Sequence, residues 1–216
     1  TSAHYDESAN IWRVTTDAGE VLTAQFLITA VGCLSSANIP NIPGLDTFEG
    51  RWYHTGQWPH EGVDFSGKRV GQIGTGSTGI QSAPVIAETA ARLTVFQRTA
   101  NYSVPARNEP LTPEFKRYVK ENTAEIRRVT RLSANGHPWL VEERSALELS
   151  PEERHAIYEA AWETGGLRFR ATFRDLVTDN EANRTASEFI RAKIRTIVKD
   201  PATAAKLSDI DHPYAA

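Results

Sequence analysis

Residues 68–98 read as one uninterrupted unit, and no other stretch narrows the fold as far. Lys68-Arg69-Val70-Gly71-Gln72-Ile73 has the composition of a strand and runs straight into Gly74-Thr75-Gly76-Ser77-Thr78-Gly79. A helical stretch follows through about Ala90, and Leu93-Thr94-Val95-Phe96 forms a second strand ahead of Gln97-Arg98. Strand, glycine turn, helix and strand at these lengths define a βαβ unit with a dinucleotide site at its turn. Each glycine has its own task. Gly74 permits the tight turn out of the strand, Gly76 lets backbone approach a pyrophosphate, and Gly79 lets the helix pack closely on the sheet. The helix then opens with unpaired N–H groups and a partial positive charge, which attract phosphate.

The residue after the second strand tells one dinucleotide from another. A site for NAD usually carries Asp or Glu there, about 20 residues beyond the turn, to bind the ribose 2′-hydroxyl. This chain has Gln97, Arg98 and the hydroxyl of Thr99. A guanidinium meets a 2′-phosphate with a bidentate, charge-assisted pair, so NADP is favoured over NAD and over FAD. The bland alternative is that Arg98 is an ordinary surface arginine. Pro84 falls well inside the helix, where it removes one hydrogen bond and is expected to bend it.

At 216 residues and 40% hydrophobic, the chain is long enough for one large domain, or one domain and part of another. A net charge of −3 argues against a nucleic-acid binder or a polybasic membrane binder. Cys33 is the only cysteine, which excludes an intrachain disulfide and disfavours a metal cluster. The longest apolar run, Phe26 to Leu34, is too short to cross a bilayer, and no basic-then-apolar leader precedes it. A cytoplasmic enzyme is the expectation. The chain starts at Thr1 and contains no methionine, which reads as a piece of a longer protein.

The rest of the chain sorts by periodicity. Ile11 to Thr16 alternates, Asp17-Ala18-Gly19-Glu20 turns, and an extended run from Val21 completes a hairpin, which needs a sheet to join. Gln25 to Val31 reads as a buried strand. Ser35-Ser36, Pro40 and Pro43-Gly44 mark a stiff connector. After Arg98, Tyr102, Pro105 and Arg107-Asn108 form an irregular stretch that could line a cleft. Thr112-Pro113-Glu114 opens a charge-rich helix running to about Ser133, its mixed charges reading as a solvated face. Ser150-Pro151-Glu152-Glu153 is a capping box. Ala186, Phe189, Ile190, Ile194, Ile197 and Val198 fall at helical spacing and read as core packing.

One motif precedes the glycine turn: Phe48-Glu49-Gly50-Arg51-Trp52-Tyr53-His54-Thr55-Gly56-Gln57-Trp58-Pro59. By composition alone His54 reads as a hydrogen-bonded structural histidine as readily as a functional one. The string nevertheless resembles the F-x-G-x-x-x-H-x-x-x-W-P fingerprint of the Baeyer–Villiger monooxygenases, class B flavin-containing monooxygenases, in Phe48, Gly50, His54, Trp58 and Pro59. The resemblance extends through Val95 to Thr99, Val104 to Asn108 and Phe189-Ile190-Arg191, covering essentially the whole chain. Val31 departs from it, standing where that family usually has Thr or Ser.

The resemblance implies a two-cofactor enzyme: NADPH reduces a bound FAD, O₂ adds to give a C4a-peroxyflavin, and a ketone becomes an ester or lactone. It implies that Gly74, Thr75, Gly76, Ser77, Thr78, Gly79, Ile80 and Gln81 bind the pyrophosphate region, and Arg98 with Thr99 the 2′-phosphate. His54 becomes a linker residue coupling the nucleotide domains. Such residues change rate and affinity together. The chain holds one glycine turn only, so the FAD site is expected elsewhere. The active-site arginine of that family follows a segment resembling Asp211-His212-Pro213-Tyr214, and the sequence ends at Ala216 without it.

The expected architecture is α/β. Residues 1–34 read as a remnant of an FAD-binding domain, 35–66 as an interdomain linker with the fingerprint, 67–110 as a Rossmann-like NADP-binding βαβ unit, and 111–216 as its helical insertion. The expected partners are a small-molecule ketone, O₂ and the missing portions of the parent chain, with no nucleic acid, membrane or metal. Rival expectations are an N- or S-oxidising flavin monooxygenase, which typically lacks the Trp-Pro pair, and a non-catalytic NADP-binding module. An NAD(P)-linked disulfide reductase is weak without a redox cysteine pair.

Overall fold

The computed structural model describes residues 1–133, 136–210 and 213–214. The chain divides into two units, Thr1–Asp64 and Phe65–Ala216.

The first unit is a three-stranded antiparallel sheet in the order β1 (Ser2–Asp6), β2 (Ile11–Thr15), β3 (Val21–Ala24). The expected hairpin is β2–β3, with Val14 opposite Leu22. The strand β1 was not legible, because Ser-Ala-His-Tyr-Asp carries little apolar alternation; it pairs Tyr5 with Trp12, whose rings lie 5.3 Å apart. Asp6 fastens the β1–β2 turn by accepting from Ser8 Oγ at 2.7 Å and from the Ser8 and Ala9 N–H groups at 3.1 Å. Those bonds, that of Ser8 first, hold its carboxyl below the usual carboxylate range.

The buried strand expected at Gln25 to Val31 does not form. Beyond Ala24 the backbone is irregular, and Phe26 and Ile28 are 83% and 87% exposed. An apolar run becomes a strand only beside a partner, and no described strand pairs beyond β3. Two short 3₁₀ turns, Leu45–Thr47 and Thr55–Gln57, follow in the connector.

The second unit opens with the anticipated βαβ order: β4 (Arg69–Ile73), α1 (Ser77–Thr89) and β5 (Arg92–Phe96). The strands are parallel and in register from Arg69 opposite Arg92 to Ile73 opposite Phe96. α1 runs unbroken across Pro84. Next come α2 (Pro113–Glu121) and α3 (Thr123–Leu132), where a single helix was expected. The break is Asn122, whose side chain donates to Tyr118 O at 2.8 Å while Thr123 Oγ1 donates to Val119 O at 2.7 Å. Short polar side chains offer the backbone an alternative to continuing the helix. The charged faces are solvated as expected, with Glu125 and Arg128 paired at 2.6 Å on the surface.

The packed part lies in α4 (Pro151–Thr164), α5 (Asn180–Ile197), α6 (Pro201–Ser208) and the turns between them. The Ser150–Glu153 capping box is complete. Phe169 is fully buried, stacked on Tyr158 at 5.3 Å and Phe189 at 5.8 Å, with Tyr214 edge-on at 5.6 Å. Burial pushes the Tyr158 and Tyr214 hydroxyls up to about 12. The apolar stripe of α5 packs this cluster through Ala186, Phe189 and Ile190, and Ile194 borders it. Ile197, expected in the core, is 61% exposed, while Val198 beside it is half-buried. Tyr102 does not line a cleft either: it is buried in the same cluster.

Asn183 closes this layer. Its Nδ2 donates to Leu176 O at 2.6 Å and Tyr214 O at 2.9 Å, and its Oδ1 accepts from Tyr214 N at 2.8 Å. Asp211 and His212, two of the residues in the segment singled out near the C-terminus, lie outside the described residues.

Candidate functional site

The turn between β4 and α1 is shaped by its glycines and braced by one side chain. Gly74 has φ +101°, a conformation open to glycine and costly for other residues. Its N–H donates to Phe96 O at 2.8 Å, so the turn begins from the last rung of the parallel pair. Gly79 is required for a different reason: a Cβ there would lie 2.5 Å from Gly74 O. A Cβ on Gly76 would meet nothing within 4 Å, so open space adjoins the backbone at the position assigned to pyrophosphate approach.

Gln72, in β4, ties the arrangement together. Its Nε2 donates to Gly74 O at 3.1 Å and Gly79 O at 3.0 Å, and Ser82 Oγ donates to its Oε1 at 3.3 Å. One amide thus joins strand, turn and helix. By type alone Gln72 is an ordinary strand residue; the one signal of its role is a polar side chain one residue from the strand end, beside the glycine turn. Bracing of this kind holds a site in shape before a ligand arrives.

Gly76 is the N-cap of α1, and no side chain caps that end. The first-turn N–H groups of Ser77, Thr78 and Gly79 are of the kind that bind phosphate at a helix start. Ile80 and Gln81 stand differently. Ile80 N–H already donates to Gly76 O at 3.0 Å, and the Gln81 side chain turns back to Ser77 O at 2.9 Å.

Because Ile73 and Phe96 are in register, the glycine turn and the Arg98–Thr99 pair leave the same edge of the sheet. Both Arg98 and Thr99 are exposed. The arrangement offers N–H donors at a helix start and a guanidinium on an adjacent segment, which suits an anion with separated phosphates.

His54 belongs to the first unit. It caps the turn Thr55–Gln57, its Nδ1 accepting from Gly56 N–H at 3.1 Å, which places the ring proton of the neutral form on Nε2. Tyr53 and Trp58 approach at 5.8 Å. Within the same motif, a Cβ on Gly50 would lie 2.6 Å from the Phe48 ring. Among the described residues there is no group of His, Cys, Asp and Glu able to hold a metal ion, and no helix is long and apolar enough to cross a membrane.

The flavin-binding monooxygenase-like profile matches residues 4–111, and the chain belongs to that family. It is 49% identical over 212 residues to a cyclohexanone 1,2-monooxygenase from Acinetobacter sp., covering 97% of this chain and 39% of the relative. A phenazine N-monooxygenase from Lysobacter antibioticus is 46% identical, over 97% of this chain and 39% of that protein. Among solved structures, an oxidised steroid monooxygenase bound to NADP is 52% identical and superposes with a TM-score of 0.87, over 99% of this chain and 41% of that one. The chain thus spans about two fifths of the length of the relatives it matches.

Proposed function

We propose that this chain is the NADP(H)-binding portion of an FAD- and NADPH-dependent monooxygenase of Baeyer–Villiger type, which inserts one atom of O₂ into a ketone to give an ester or lactone. In this reading residues 67–110 are the Rossmann-like NADP domain, 111–216 its helical insertion, 1–34 a remnant of the FAD domain, and 35–66 the linker between them. The enzyme acts in the cytoplasm on a small ketone. The observation that carries the reading is the turn itself: Gly79 wedged against Gly74 O, open space at Gly76, and an arginine leaving the same sheet edge.

NADP(H) fits these residues. The Ser77, Thr78 and Gly79 N–H groups would hold the pyrophosphate, with Gly74, Thr75 and Gly76 shaping its approach and Ile80 and Gln81 extending the helix behind them. Arg98 and Thr99 would hold the 2′-phosphate. When bound, the reduced nicotinamide supplies the hydride that a flavin needs before O₂ can be activated. The protein's own task is to bind, orient and keep water out. The single glycine turn of this chain is given to NADP(H) in this reading, and FAD to another site of the parent enzyme. His54 acts in the linker, coupling the nucleotide domains, and not as an acid or base.

Titration with NADPH, NADH and FAD tests the reading. NADPH should bind weakly but in preference to NADH, and Arg98→Ala should cost about tenfold to a hundredfold in NADPH affinity, the worth of a charged hydrogen-bonded pair. Unchanged discrimination in that variant overturns the assignment of Arg98, and tight FAD binding overturns the domain assignment. The chain alone should oxidise no NADPH in response to ketone; such turnover would show that this portion is active by itself.

A second reading, N-oxidation, is favoured by the likeness to the phenazine N-monooxygenase. Trp58-Pro59 favours the ketone. Product analysis of the parent enzyme with a ketone, an amine and a thioether separates the two.

A further inference from the structure

The segment that follows Arg98 enters the helical layer almost at once. Ala100, Tyr102 and Val104 alternate into the aromatic cluster, with Tyr102 8% exposed and its neighbours packed at the margin. Tyr102 lies edge-on to Tyr214 at 6.4 Å, beneath the Arg191 guanidinium at 5.8 Å, and its hydroxyl donates to Ile210 O at 3.4 Å. One residue past Val104, Pro105 O accepts from Gly166 N–H at 2.7 Å. Beyond that, Arg107 pairs with Glu163 at 3.3 Å.

The receiving surface is a glycine pair. Gly165 and Gly166 both have positive φ, +76° and +69°. A Cβ on Gly165 would lie 2.4 Å from Arg107 Cγ and 2.8 Å from Pro105 O, so the residue at 165 must lack a side chain for the segment to dock. On the other side of Arg98, Phe96 is fixed in the parallel pair and receives the Gly74 N–H. Only residues 97–99 span the interval between two anchored ends.

We infer that the helical layer sets coenzyme preference from a distance: Gly165, Val104 and Tyr102 are positioning residues that hold the backbone of Arg98 and Thr99 in register with the glycine turn. This rests on the reading of Arg98 as the 2′-phosphate ligand. A long, flexible guanidinium binds a bidentate partner well only when its Cα is already placed, since ordering it at the moment of binding takes away from the affinity gained. The layer therefore acts on the 2′-phosphate and not on the pyrophosphate, whose ligands are braced separately by Gln72.

The test is the ratio of NADPH to NADH affinity in the full chain, measured by titration for Gly165→Ala, Val104→Ala and Arg98→Ala beside the unsubstituted chain. Tyr102→Ala is avoided because it opens a hole in the cluster. Gly165→Ala should weaken NADPH binding about tenfold with NADH binding unchanged, and Val104→Ala should do the same to a smaller degree, the direction expected of lost preorganisation. Loss of stability alone would lower both affinities together and leave the ratio fixed. Should Gly165→Ala fail to fold, Val104→Ala, a small truncation at the margin of the cluster, decides. If Arg98→Ala abolishes the preference while the folded anchor variants keep it, the positioning role is overturned and the NADP reading stands. If Arg98→Ala keeps the preference, or the unsubstituted chain binds no NADPH, the reading beneath it falls as well.

Discussion

The two ends of the molecule are held together on different terms. From Tyr102 onward the second unit has a continuous buried cluster in which Tyr158, Phe169, Phe173, Leu176 and Ile190 are withdrawn from water. In Thr1–Asp64 no residue is buried, and the sheet is held by strand pairing, the Tyr5–Trp12 contact and the Asp6 turn. Yet the fingerprint with His54 lies in the unit without a core. The fingerprint and the stabilising core are here in separate units, although Phe189 and Ile190, which carry another part of the resemblance, lie in the buried cluster.

That contrast breaks most visibly at Phe169. Phe169→Ala should destabilise the second unit by about 3–5 kcal/mol, as for other large aromatic truncations in a closed core, measured by denaturant unfolding. A loss below about 1 kcal/mol would mean the cluster is not the stabilising centre. Gly79→Ala probes the middle ground between the two regimes. Its Cβ has no room beside Gly74 O, so about 1–3 kcal/mol of overpacking is expected, together with loss of NADPH binding, read by thermal melting and titration.

The next effects are smaller. Ser150→Ala removes a complete capping box and should cost about 1 kcal/mol. Its partner Glu153 is held below its ordinary carboxylate value, first by the Ser150 backbone N–H and then by the Ser150 side chain. Because the folded value is the lower one, the associated stability is present above pH 4.5 and is lost as pH falls through the folded value. Glu153→Gln should therefore flatten the acid limb of the melting temperature, followed from pH 6 down to about 3. Leu22→Ala, in the open sheet and half exposed, should change stability by no more than about 0.5 kcal/mol in urea melts. A large effect there would erase the contrast between the units.

What could be read from the sequence was what is decided locally. The βαβ unit was legible because strand, turn and helix signals fall within thirty-one consecutive residues, and the Ser150 capping box because its four residues are adjacent. Features that depend on a distant partner were not. The run from Gln25 to Val31 has strand composition, but composition does not supply the neighbour that a strand must bond to. β1 was missed for the converse reason: its polar residues pair because β2 lies beside them. Asn122 is a local exception: it ends a helix that charge periodicity alone would have continued, through a bond to Tyr118 four residues back. At the site, glycines and arginine were legible by type and order, whereas Gln72 and the docking of Tyr102 required knowing which backbone atoms come near them.

Asn183 carries a liability that its neighbours do not. One primary amide satisfies both main-chain groups of Tyr214 and a second carbonyl from Leu176, so it serves as a single-residue substitute for an adjoining strand. Hydrolysis to aspartate would keep its size, but two carbonyl oxygens would then face a buried carboxylate where an N–H pair had been. The Tyr214 carbonyl would lose its donor and a charge would be buried in α5, leaving the C-terminal segment held by the Tyr214 ring against Phe169 and Tyr102.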